Sequence, residues 1–122
     1  MATLIVDGAN VVGSRPDGWW RNRSGAAARL HGRLLAADLP YAEVVLVLEG
    51  QAKAGVPAGM DAGVRTVHAP ADGDATIAEQ ARSAVADGQE VAVVTADRAL
   101  AATVQEAGAE VVGPGWLLDR LG

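Results

Sequence analysis

Short aliphatic runs alternate along this chain with stretches whose apolar residues recur every three or four positions. The runs cover residues 3–6, 44–48, 64–67, 90–95 and 109–112. Continuous apolar segments of four to six residues, several closed by Asp-Gly, Glu-Gly or Ala-Asp, predict strands buried on both faces of a parallel sheet. Between the first two, Ala27, Leu30 and Leu34 mark a helix over residues 17–37 that stops at Asp38-Leu39-Pro40. Ile77, Ala81 and Val85 form the stripe of a second helix over 74–85, and Leu100 and Val104 that of a third over 98–107. Residues 116–121 predict one or two final turns. Residues 51–63, with Gly55, Pro57 and Gly59, predict a loop. The resulting order, βαββαβαβα, predicts an α/β fold whose parallel sheet carries helices on both faces through right-handed crossovers.

With 122 residues, the chain has room for one domain over 1–122 and none for a catalytic domain beside a separate binding domain. Half of its residues are hydrophobic, yet only Trp19, Trp20, Trp116 and Tyr41 are aromatic. The core is therefore expected to be aliphatic, rich in Ala, with helices packed close to the sheet. The absence of cysteine removes disulfides, thiolate metal sites and thiol nucleophiles. The N-terminus lacks the pattern of a signal peptide, and the apolar runs are too short to span a bilayer. A soluble cytoplasmic protein with no membrane partner is expected. No feature specifies an oligomeric state, and a homodimer is as compatible as a monomer.

Charge is distributed unevenly. The net charge of −5 argues against a general nucleic-acid binder, because phosphates are held by Lys and Arg. Residues 1–35, however, hold Arg15, Arg21, Arg23, Arg29 and Arg33 against Asp7 and Asp17, a net of +3, whereas 36–122 carry −8. A basic arm beside an acidic pocket loaded with metal suits a phosphodiester, since the cation reverses the potential at the reacting phosphate. A solvated helix face accounts for the same arginines.

The acids of that pocket follow from the strands. Asp7, Glu49, Asp74 and Asp97 each come just after an aliphatic run, and the carboxyl ends of parallel strands are where open α/β sheets bind ligands. Gly8 lets the chain turn sharply after Asp7, and Asn10 adds an amide three residues on. Asp72 or Asp74 can cap the helix that begins there, while Thr76 with Glu79 fits a capping box that would leave Asp74 free. Carboxylates crowded into one crevice repel each other unless a hard divalent cation neutralises them. Oxygen donors without cysteine favour Mg²⁺ or Mn²⁺ over Zn²⁺. His31 and His68 have no Ser or Cys nucleophile beside them. Trp19 and Trp20, next to Arg21 and Arg23, combine ring faces for stacking bases with guanidinium groups for phosphates. Adjacent helical side chains point roughly 100° apart, so one of the two is expected to pack instead.

Taken together, residues 4–12 (LIVDGANVV), 17–21 (DGWWR), 73–77 (GDATI) and 94–100 (VTADRAL) resemble the NYN domain, close to its YacP-like members, within the PIN-like nuclease group. The resemblance covers almost the whole chain. It implies a three-layer α/β/α sandwich with a mostly parallel central sheet, a divalent-metal site, and RNA cleavage by water attack on the phosphodiester. Asp7, Asp74 and Asp97 match its catalytic acidic metal ligands, and Asn10 and Thr95 match polar residues that support the site, to which Asp72 is added. Glu49 stands where relatives often carry Asp, a departure that puts its direct ligation in question. The reading that follows is a metal-dependent endoribonuclease acting on single-stranded RNA, with Arg15, Arg21, Arg23, Arg98 and Trp19 contacting substrate.

A second class fits the same residues: a non-catalytic RNA-binding or assembly domain that retains the acidic pocket. Two others fit poorly. A phosphotransfer receiver needs a lysine near the last strand, and the only lysine is Lys53. A phosphatase with an aspartyl nucleophile needs a second acid two residues after Asp7, where Ala9 stands.

Overall fold

The computed structural model describes residues 1–122. Six strands, β1 (Ala2–Asp7), β2 (Glu43–Leu48), β3 (Gly59–Asp61), β4 (Val64–His68), β5 (Glu90–Val94) and β6 (Glu110–Val112), join one sheet in the order β3-β4-β2-β1-β5-β6. All neighbours run parallel except β3, which lies antiparallel on the edge of β4. Five α-helices accompany them: α1 (Gly8–Gly13), α2 (Arg23–Ala36), α3 (Gly73–Ala86), α4 (Arg98–Glu106) and α5 (Pro114–Leu121).

The three layers follow from strand geometry, because successive side chains point to opposite faces of a sheet. Leu4, Val6, Leu46, Leu48 and Val94 pack with Ala27, Leu30 and Leu34 of α2 and Leu117 of α5 on one face. Ile5, Val45, Val47 and Val93 pack with Ile77 and Ala81 of α3 and Leu100 and Val104 of α4 on the other. Every strand residue named here is essentially inaccessible to water, which is why the runs read as continuous rather than alternating. The fold is thus a three-layer α/β/α sandwich. No helix is long and apolar enough to cross a membrane.

Four local expectations need correction. The helix expected over 17–37 is broken. Trp19–Arg21 forms a separate 3-10 turn, and α2 begins only after Asn22, whose side chain accepts a hydrogen bond from the Gly25 N–H at 2.9 Å. Helix α1 was not expected, since its sequence GANVVG carries two glycines. It forms because Asp7 caps it and because Val11 is buried against the sheet. The stretch expected as a loop over 51–63 contains the 3-10 helix Gly50–Gly55 and strand β3. All three β3 residues are exposed, so backbone pairing alone holds them and no apolar period announces the strand. Finally, Asp72 caps α3 by accepting from the Asp74 N–H at 3.0 Å, so Thr76 lies inside the helix and forms no capping box.

Candidate active site

The chain leaves β1 for β2 on one side and later returns to β5 on the other, so the strand order reverses around the carboxyl end of β1. This is the place where an open α/β sheet leaves a crevice. Asp7 ends β1 there, Glu49 follows β2, Asp72 and Asp74 follow β4, and Thr95 and Asp97 follow β5. All six acidic and hydroxyl groups therefore meet one rim of the sheet.

Asp7 is 5% exposed and held at both oxygens. Oδ1 accepts from the Asn10 N–H at 3.2 Å and Oδ2 from the Thr95 hydroxyl at 3.0 Å. The Thr95 hydroxyl in turn accepts from the Asp97 N–H at 3.1 Å, which links the two strand-end aspartates through one buried side chain. Asn10 Oδ1 accepts from the Ala96 N–H at 2.8 Å, tying the start of α1 to the loop that carries Asp97. Asp97 caps α4 by accepting from the Leu100 N–H at 3.0 Å. Gly8 lets the chain turn into α1 hard against β2, since a Cβ there would lie 2.7 Å from the Val47 carbonyl oxygen. Glu49 turns toward the start of α3: a Cβ on Gly73 would sit 3.2 Å from its Oε1.

The electrostatics carry the mark of crowding. Burial, chiefly, raises the Asp7 carboxyl above the ordinary aspartate value, and the negative Asp74 and Glu49 raise it further. The bonds from Asn10 and Thr95 act in the opposite direction. Asp74 is also raised, first by desolvation and then by Asp97, Asp72 and Glu49. The carboxylates repel one another across the crevice, yet no group of three or more acidic or histidine side chains closes into a cage that could hold a metal ion. Asp7, Asp74, Asp97 and Glu49 thus share the rim without closing into one ligand set. Asp7 and Asp97 are each anchored as helix caps.

The protonation of Asp7 gives a testable consequence. A carboxyl whose value is raised by folding adds stability that is complete below its unfolded value near 3.8 and is lost as pH rises through the folded one. In chelator, urea unfolding should show stability declining as pH climbs from about 4 toward neutrality, with a shallower decline in Asp7→Asn. The same slope in both proteins would show that Asp7 is not the responsible group.

The expected substrate contacts disperse. Arg23 lies over the Trp19 ring at 5.0 Å and Arg21 near that of Trp20 at 5.9 Å. Arg98 is exposed at the first position of α4, beside Asp97. Arg15 instead lines a small cavity with Asp17, Arg29 and Arg33 between α1, α2 and α5. Of the two tryptophans, Trp20 is the exposed one, at 51%, and Trp19 is half-buried. Sequence reasoning missed Gly50–Gly55 as a wall beside Glu49, because that stretch carries no periodic signal.

No family model matches the chain, and no curated protein does. Among solved structures, the chain is similar to the crystal structure of a mutant of Rae1 (YacP) from Bacillus subtilis, with a TM-score of 0.79 over 99% of this chain and 75% of that one. The chain has a YacP-like fold. At 19% identity the likeness lies in architecture alone.

Proposed function

We propose that this protein is a divalent-metal-dependent ribonuclease that cuts single-stranded RNA endonucleolytically. The observation that carries this reading is the meeting of Asp7, Glu49, Asp74 and Asp97 at the strand-order reversal, with Asp7 and Asp74 both raised, chiefly by burial and further by the neighbouring carboxylates. The donor set fits Mg²⁺ or Mn²⁺. All donors are oxygens, and Mg²⁺ characteristically keeps several waters and takes only one or two protein carboxylates together with substrate phosphates. A fully closed cage is not what such an ion requires. Asp7, Asp74 and Asp97 would hold it, with Glu49 in support. When bound, it would supply activation of water and stabilisation of charge at the phosphoryl centre.

The chain's own residues do the rest. Thr95 and Asn10 fix the Asp7 carboxylate and the Asp97 loop as one unit, so the acids need not reorganise when substrate arrives. Helices α3 and α4 begin at this crevice, and their N-terminal N–H groups favour phosphate there. Arg23, which shares a cavity with Gly8 and Glu49, and Arg98, next to Asp97, hold neighbouring phosphates. The YacP-like fold supports the reading at the level of architecture.

The second reading, an RNA-binding or assembly domain without catalysis, is favoured by the use of Asp7 and Asp97 as helix caps, a structural role that needs no metal. A cleavage panel separates the two: labelled single-stranded RNA and DNA with Mg²⁺, Mn²⁺ or chelator. RNA cleavage that needs the metal is expected. Binding insensitive to chelation, with RNA intact after hours, would establish the second reading.

A further inference from the structure

Beside the acidic crevice lies a cavity of about 270 Å³, well beyond the roughly 30 Å³ that one water occupies in the liquid. Trp19, Val12, Ala27, Leu48 and Ala52 give it apolar walls. Arg23, Glu49 and Gln51 supply its polar groups. Three elements hold the walls in place. Trp19 is braced edge-on by Trp20, at 6.0 Å between centroids and 90° between planes, and its ring lies beside Gly13 of α1, where a Cβ would sit 3.6 Å from it. Arg23 lies over its face. Opposite, the 3-10 helix Gly50–Gly55 presses so closely on α2 that a Cβ at Gly55 would fall 2.0 Å from the Ser24 carbonyl oxygen.

The mouth of this slot decides its occupant. Gly8, which follows Asp7, and Glu49, whose carboxylate reaches the start of α3, line slot and crevice alike. A ligand filling the slot is therefore continuous with whatever occupies the crevice. An indole and a guanidinium beside an apolar floor suit a flat heterocycle, since bases stack on both. We propose that the slot takes one nucleobase of a single-stranded RNA and thereby sets which phosphate reaches the carboxylates. This rests on the ribonuclease reading of the crevice, to which it adds a register-setting base site. Trp19 is here a positioning residue.

The test is an equilibrium one. In chelator, binding of a fluorescently labelled single-stranded RNA oligomer is compared with that of variants carrying one abasic residue at each position in turn. A single position should weaken binding by about 5- to 150-fold, the range set by one stacked base. That penalty should vanish in Trp19→Ala and largely return in Trp19→Phe. Ala52→Leu, which fills the slot from its other wall, should abolish it with the tryptophan intact and decides the matter if Trp19→Ala does not fold. A flat abasic profile, no RNA binding, or a penalty that persists in the slot variants would overturn the proposal. Cleavage with Mg²⁺ and a flat profile would sink the slot alone. A position-dependent profile without cleavage would sink the nuclease reading alone.

Discussion

Asp7→Asn should reduce metal-dependent RNA cleavage by about 10³-fold, the equivalent of several kcal/mol of charge stabilisation at 1.36 kcal/mol per tenfold. The substitution removes one negative charge and almost no volume. Its amide oxygen can still accept from the Asn10 N–H, and the Thr95 hydroxyl has two acceptor lone pairs, enough for the Asp97 N–H and the new amide N–H. In chelator the folded state should hold, because burial already disfavours the charged form of Asp7. Asp97→Asn should behave alike in cleavage. Initial rates on labelled RNA, with circular dichroism as the check on folding, measure both. Full activity in the two variants would end the nuclease assignment.

The second large effect concerns the scaffold. Leu46→Ala should cost about 2–5 kcal/mol of unfolding free energy, out of a total of roughly 5–15 kcal/mol for a domain. Leu46 sits on β2 between β1 and β4, is 0% exposed, and belongs to the core shared with α2 and α5. Neighbours on both sides are strands hydrogen-bonded along their length, so the sheet cannot collapse into the space left. Leu35→Ala provides the contrast: Leu35 is 37% exposed on α2, and its loss should stay within about 0.5 kcal/mol. Urea denaturation of the pair checks the layer assignment. Equal costs would contradict it.

Much of this architecture is legible in the order of residues. Runs such as Val44–Leu48 are apolar at every position because both faces of the sheet are covered, and a strand of that kind announces itself without any neighbour. The stripes Ala27-Leu30-Leu34 and Ile77-Ala81 likewise declare the helix faces that became the two cores. Placement of an acid after each of four strands follows from the same reading. Elements that depend on capping and backbone contacts were not legible. Helix α1 depends on Asp7 as a cap and on Val11 reaching the core, the break at Asn22 on one side-chain bond, and β3 on backbone pairing alone.

The sequence by itself determined the sandwich and the shared rim of its aspartates, because burial periodicity and the direction of parallel strands are properties of the chain order. Only the tertiary structure decided how those aspartates stand toward one another. Burial, and after it the neighbouring carboxylates, raise Asp7 and Asp74, while hydrogen bonds from Thr95, Asn10 and the α4 backbone pin Asp7 and Asp97. The slot at Trp19 is likewise a tertiary product, since its walls come from α1, α2 and the Gly50–Gly55 turn. Those segments meet only once the sheet has brought them to one edge.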